Sequence, residues 1–126
     1  MIKKALFLSL IGFYVFAGLN HFINPEFYYP LIPDYLIYIK EINLLSGISE
    51  VLLGIGLLIP KLRKVSATLI VLMLLAFIPS HVYFIQIGGC ITEGLCVPSW
   101  IAWFRLIIIH PILIFWAWSF KNYSWK

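Results

Sequence analysis

Five residues that can carry charge or exchange protons interrupt otherwise apolar stretches of this chain: His21, Glu50, His81, Arg105 and His110. Ionisable groups at membrane depth are costly, and they mark either pairing between helices or a functional site. Glu50 and Arg105 are the only opposite full charges in such stretches, each costing about 2.5–3.5 kcal/mol on an insertion scale if left alone. A matched buried charge is far better tolerated than an isolated one, so the pair is expected to meet, directly or through water. A carboxylate of this kind can hold or relay a proton, and an arginine or histidine can donate hydrogen bonds to an oxygen of a ligand. The competing interpretation is that the pair only fixes helix register.

The elements that must position these groups follow from composition. The 126 residues are 63% hydrophobic and 11% charged, against about 45–50% and 25% in soluble domains, which excludes a water-soluble globule. Four apolar runs, 5–22, 42–59, 65–87 and 100–118, hold 18, 18, 23 and 19 residues, and about 17–25 helical residues cross a hydrocarbon core. Backbone polar groups in lipid must be satisfied internally. The expected fold is therefore a single-domain, all-α membrane bundle of four helices over residues 1–126, with sequential neighbours antiparallel. Lys3, Lys4, Lys61, Arg63, Lys64, Lys121 and Lys126 fall on one side, while the other carries Lys40 with Glu26, Asp34, Glu41 and Glu93. That asymmetry predicts both termini in the cytoplasm. The net charge of +4 then reflects topology and attraction to anionic lipid, with no support for nucleic-acid binding. Lys3-Lys4 followed by an apolar stretch and Val15-Phe16-Ala17 also has the form of a signal peptide, cleaved before Gly18. The apolar run continuing through Phe22 favours an uncleaved first span.

With this topology Arg105, His81, Glu50 and His110 lie five, six, eight and ten residues from the outer ends of their spans, depths that differ by only about 8 Å. His21 sits at the outer mouth. Asn43, Gly47, Glu50 and Gly54 form a small, polar stripe on one helical face, suited to close helix approach. Ala76, Ser80 and Tyr83 form a similar stripe beside His81, and Pro79 is expected to kink that span and free a backbone carbonyl for a ligand or a side chain. His81 and His110 would be the axial ligands if a haem were present, but no histidine spacing supports a zinc site, and neutral buried histidines often serve as hydrogen-bond partners. No metal and no cofactor is encoded by motif.

The outer segments are aromatic and carry the cysteines. Phe27, Tyr28, Tyr29, Tyr35 and Tyr38 fall in the long connection 23–41, where Asn24-Pro25-Glu26 and Pro33-Asp34 have the form of helix starts. Short helices in the headgroup layer are expected there, as an anchoring belt or, alternatively, a lid over the bundle mouth. Cys90 and Cys96, both in the loop 88–99, lie on an oxidising side for a bacterial plasma membrane or an ER-type membrane, and are expected to form a disulfide staple. A catalytic thiol pair is the alternative, although the C-x-x-C spacing is missing.

Several of these residues occur in Ala17-Gly18-x-x-His21-Phe22-x-x-Pro25, Ile32-Pro33, Ser46-Gly47-x-x-Glu50-x-x-x-Gly54, Leu57-Leu58-x-Pro60-x-x-Arg63, Pro79-x-x-x-Tyr83, Arg105-Leu106 and Trp116. In this pattern the chain resembles the DoxX-like family of small four-helix membrane proteins, similar to a subunit of thiosulfate:quinone oxidoreductase. The resemblance covers nearly the whole chain. It departs from the family at His81 and His110, where Asn and Gln are usual. It implies a quinone-linked oxidoreductase or redox-accessory subunit of the bacterial plasma membrane, with a membrane redox partner or a second copy of itself, and carries over His21, Glu50 and Arg105. On that reading Arg105 and His81 donate to the two carbonyl oxygens of a quinone head, and Glu50 holds Arg105 or relays a proton. His21, His110, Tyr83 and Trp103 complete the binding site, with Trp100 flanking an apolar tail. The alternative class is a non-enzymatic membrane assembly or interaction factor whose Glu50–Arg105 pair is structural.

Overall fold

The computed structural model describes residues 1–91 and 94–124. Glu93 and Lys126, counted above among the side-determining charges, lie outside the described residues. The chain is all-helical, with no strand among the described residues beyond one isolated bridge, Cys90 to Cys96. Four segments are long and apolar enough to span a membrane: Ile2–Ile23, Ile39–Leu58, Pro60–Gln86 and Ser99–Ser119. Each begins before the apolar run predicted for it; the first and fourth also continue past its end, while the second and third stop one residue short of it. The first two bury 33% of their most apolar windows and the last two 17%. Large side chains such as Phe16, Leu52, Ile107 and Phe115 face outward, as suits helices whose solvent is lipid.

The first span is α1 (Ile2–Ile23). Pro25 then opens α2 (Pro25–Tyr28) at its N1 position with Glu26 in the first turn, as the Asn-Pro-Glu signal predicts. A 3₁₀ turn (Tyr29–Leu31) follows. Pro33-Asp34 starts only a turn, closed by Leu36 N–H to the Pro33 carbonyl at 3.0 Å; α3 (Ile39–Leu58) begins before a helix could propagate. Ile59 alone separates α3 from α4 (Pro60–Ala76), so Lys61, Arg63 and Lys64 stand inside a helix rather than in a loop.

The third and fourth spans are each interrupted. Pro79 lacks the N–H that would continue the α4 ladder, and the helix breaks at Phe77 before resuming as α5 (Ile78–Gln86). In the fourth span Pro111 has the same deficit. Here α6 (Ser99–Phe104) passes through a π turn (Arg105–Ile109) into α7 (His110–Ser119), with His110 N–H bonded to the Arg105 carbonyl. Between the third and fourth spans, Gly88 and Gly89 take φ values of +80° and +74°, a left-handed conformation that glycine adopts readily. They turn the chain into the hairpin where the Cys90 and Cys96 sulfurs stand 2.06 Å apart, at disulfide-bonding distance.

The apolar core lies at the end of the bundle that carries both termini. Phe7, Leu10, Ile11 and Tyr14 of α1 pack there with Leu57, Ile70, Leu74 and Phe120. Arg63 closes this end: its Nε–H donates to the Leu57 carbonyl at 2.7 Å and an Nη2–H to the Leu58 carbonyl at 3.2 Å. Its Nη1 donates to the Tyr123 carbonyl. The guanidinium also lies over the Phe7 ring.

Candidate functional site

The opposite half of the bundle is built on a close crossing of α1 and α3. A Cβ added to Gly18 would stand 2.7 Å from the Gly47 carbonyl oxygen, and one on Gly47 would stand 2.7 Å from the His21 Cβ. Only glycine at both positions lets the backbones approach this far. The stripe Asn43, Gly47, Glu50 and Gly54 is buried along its whole length, facing α1. The crossing sets His21 against Asn43 in a reciprocal pair: His21 Nδ1–H donates to Asn43 Oδ1 at 2.6 Å, and Asn43 Nδ2–H donates to the His21 carbonyl at 3.1 Å. With Nδ1 so engaged, the other ring nitrogen, Nε2, faces Glu50 Oε2 at 3.7 Å.

Above this pair sits Tyr28 of α2. Its ring stacks on His21 with centroids 3.7 Å apart and planes 18° from parallel. The hydroxyl accepts a hydrogen bond from Asn20 Nδ2–H at 2.8 Å. Burial pushes the Tyr28 hydroxyl above the ordinary tyrosine range; the Asn20 hydrogen bond opposes this and the nearby Glu50 charge adds to it. The hydroxyl therefore stays protonated and keeps a hydrogen to donate.

The facing wall comes from the two broken spans. Interruption at Phe77 leaves the Leu74 carbonyl able to accept His110 Nε2–H at 2.6 Å, the side-chain contact expected of a proline-kinked helix. His81 meets His110 edge to face, with centroids 4.7 Å apart, so there is no room for a haem plane between them. In a regular α-helix, residues five apart stand about 140° apart around the axis. The π turn, bonded i to i+5, instead brings Arg105 and His110 toward one side. Such insertions recur at functional sites. The Arg105 guanidinium lies over the Phe84 ring, 5.3 Å from its centroid.

These walls enclose two adjoining lobes of about 430 Å³ and 280 Å³. His21, Tyr28, Glu50, Phe77, His81 and Arg105 line both. The larger adds Ser46, Ser49 and Ser80 to an apolar wall that includes Leu31, Leu36, Met73 and Phe84. Ala76, exposed at the surface, and half-buried Ser80 face this lobe. The smaller is lined by Tyr14, Leu113 and His110, among others. Two buried oxygens on these walls, Glu50 Oε2 and the Tyr14 hydroxyl, have no hydrogen-bond partner among the described residues. A buried polar atom left in this state is one that water or a ligand completes.

The structure departs from the expectations at several residues. Glu50 does not pair directly with Arg105. The group that faces it is His21, with Nε2 3.7 Å from Oε2, because the glycine crossing draws α1 against α3 while Arg105, on a different wall, rests on Phe84. Both charges line the same chamber, but no N···O contact within 4.0 Å joins them. Trp103 is 50% exposed and lies outside the chamber: it precedes Arg105 by two residues, about 200° of helix. Tyr83, two residues past His81, turns off the wall for the same reason, while Ser80 remains on it. Trp100, 67% exposed, also faces outward.

Asn43, Tyr28 and Tyr14 have more definite parts than the sequence reading gave them. Tyr14 was legible in principle, since Leu10, Ile11, Tyr14, Gly18 and His21 make one buried helical face. The pairing of His21 with Asn43 left no local signal. No curated protein and no solved structure matches this chain. A family model does match, over residues 10–121, which takes in the last 14 residues of the first span, the other three spans and every wall of the chamber; the chain belongs to the family described as domain of unknown function DUF8561.

Proposed function

We propose that this is a quinone-linked membrane protein of DoxX-like type, an oxidoreductase or a redox-accessory subunit, whose chamber binds a ring with two oxygen acceptors. The observation that carries the reading is the convergence of His21, Tyr28, Glu50, His81 and Arg105 on one cavity inside an otherwise apolar bundle. A volume of about 430 Å³ falls within the range of small-molecule sites, which are mostly apolar with a few convergent polar groups. Arg105 and His81 are the donors for the ring oxygens. Glu50 and His21 hold or deliver protons beside them. A bound quinone would supply the two-electron chemistry, with electrons from the co-substrate or from a membrane partner.

The reading places both termini in the cytoplasm of a bacterial cell, on the side of Lys3, Lys4, Lys61, Lys64 and Lys121. It places α2 and the 3₁₀ turn in the outer headgroup layer, with Tyr28 covering the mouth. Binding of a quinone analogue to the purified protein, lost in Arg105→Leu, is the expected result. Unchanged binding in that variant would remove the proposal.

One observation favours a second reading, a non-enzymatic assembly or interaction factor. His21 and His110 already have hydrogen-bond partners within the protein, as residues that lock a bundle would. That reading expects the double variant Glu50→Gln, Arg105→Gln to keep cellular function and lose only thermal stability.

A further inference from the structure

The chamber holds a charge for which the protein supplies no direct partner. Among the described residues, the Arg105 guanidinium has no carboxylate within 4.0 Å and rests on the Phe84 ring. The titratable groups facing it are Tyr14 and His21 from α1, Tyr28 from α2, Glu50 from α3, His81 from α5 and His110 from α7. Glu50 is the only acid in this set, and it is turned toward His21.

The His21–Glu50 geometry determines what the chamber can accept. His21 Nδ1–H is committed to Asn43, so Nε2 is the ring nitrogen that faces Glu50 Oε2, 3.7 Å away and outside hydrogen-bond reach, and a proton of the pair resides on one atom or the other. With one proton there, the pair is neutral on either side of the transfer: imidazole with carboxylic acid, or imidazolium with carboxylate. Arg105 is then the one net charge on these walls. A neutral ligand would leave that charge unmatched in a low-dielectric site, whereas a monoanion matches it. Leu31, Leu36, Met73, Phe77 and Phe84 on the same walls require the anion to carry an apolar, ring-sized body rather than to be a small inorganic ion.

We propose that the chamber selects an aromatic ring bearing an ionised hydroxyl, of the hydroxyquinone class, with Arg105 as its counter-charge and the Glu50–His21 pair held neutral by one proton. The inference rests on the quinone reading above and adds the ionisation state of the ligand. Only O–H and N–H bonds are made or broken: the ligand releases its hydroxyl proton to solvent, the pair keeps one proton on His21 Nε2 or Glu50, and no electron moves. Loss of the proton from the pair exposes the ligand to a like charge on Glu50, so affinity for the anion falls as pH rises.

The test uses two coloured rings, 2-hydroxy-1,4-naphthoquinone, an acid, and its uncharged 2-methoxy twin, titrated into the full chain in lipid nanodiscs. The hydroxy compound is expected to bind at least tenfold more tightly and to keep the visible band of its anion when bound. Arg105→Gln should bring the two affinities to within about twofold, while Arg105→Lys keeps the preference. Across a pH range in which the hydroxy compound stays ionised, its affinity should fall with rising pH in the native protein and stay flat in Glu50→Gln. Equal affinity for the two compounds in the native protein overturns the inference and leaves the quinone reading standing. Binding of neither overturns both. A preference that survives in Arg105→Gln, or a pH dependence that survives in Glu50→Gln, also overturns the inference.

Discussion

At the end of the bundle that carries the termini, Arg63 is 3% exposed and donates to three backbone carbonyls, those of Leu57, Leu58 and Tyr123. At the other end Arg105 lies in a cavity wall against Phe84. The two have the same side chain and the same apolar bundle around them. Arg63 takes up the carbonyls that the end of α3 leaves without helical partners and ties them to the C-terminal segment. Among the described residues the Arg105 guanidinium has no carboxylate within 4.0 Å, and it lines a cavity that the protein leaves open. A charge surrounded by satisfied acceptors maintains a fold, whereas one whose acceptors are missing from the protein is arranged for a ligand.

The largest effect that would sharpen this contrast is expected at Arg63. Replacing it with Met keeps much of the packing against Phe7 but strands the three carbonyls, each costing about 1–3 kcal/mol when left unsatisfied. Thermal unfolding in mild detergent should show a loss of several kcal/mol. A variant as stable as the native chain would mean that water reaches those carbonyls, and the contrast between the two arginines would fail.

A smaller loss is expected at the crossing that builds the site. In Gly47→Ala the new methyl would stand 2.7 Å from the His21 Cβ and 2.9 Å from the Gly18 carbonyl oxygen, so α1 and α3 must separate. Overpacking of this kind costs about 1–3 kcal/mol. It should also weaken ligand binding by displacing His21 from Asn43. Gly12→Ala on α1 is the control: nothing lies within 4 Å of its added Cβ, and alanine is the better helix former by about 1 kcal/mol. If both variants lose stability equally, the tight crossing is not what holds the polar half together.

The spans and the small, polar stripe on α3 were legible because both are periodic. Asn43, Gly47, Glu50 and Gly54 share a face by spacing alone, and that face is buried. The choice of partner was not legible. Whether Glu50 meets His21 or Arg105 depends on a few degrees of helix rotation and on how closely two backbones approach, and neither quantity is periodic in sequence. The π turn is the clearest instance. Pro111 signals a disturbance, but nothing local tells whether it kinks the span or inserts a residue, and only the latter brings Arg105 and His110 toward one side. Arg63 presents the complementary difficulty. Counted with Lys61 and Lys64 it is one cation of a topological signal; its role emerges only when Tyr123, 60 residues away, folds back onto it.

The smallest expected change in stability belongs to Arg105, and it separates the two ends most sharply. In Arg105→Met no carboxylate among the described residues loses a contact within 4.0 Å. Methionine can cover the Phe84 ring much as the arginine does, with a sulfur that also packs well against aromatics. Replacing a buried charge by an apolar side chain of similar size is often neutral or stabilising. Unfolding in detergent should therefore shift by no more than about 1 kcal/mol, or rise, while quinone-analogue binding is lost. Arg63→Met should do the reverse, unfolding easily yet binding normally at temperatures where it stays folded. A large stability loss at Arg105 would put it in the same category as Arg63, a residue that holds helices together, and the chamber would then be a by-product of packing.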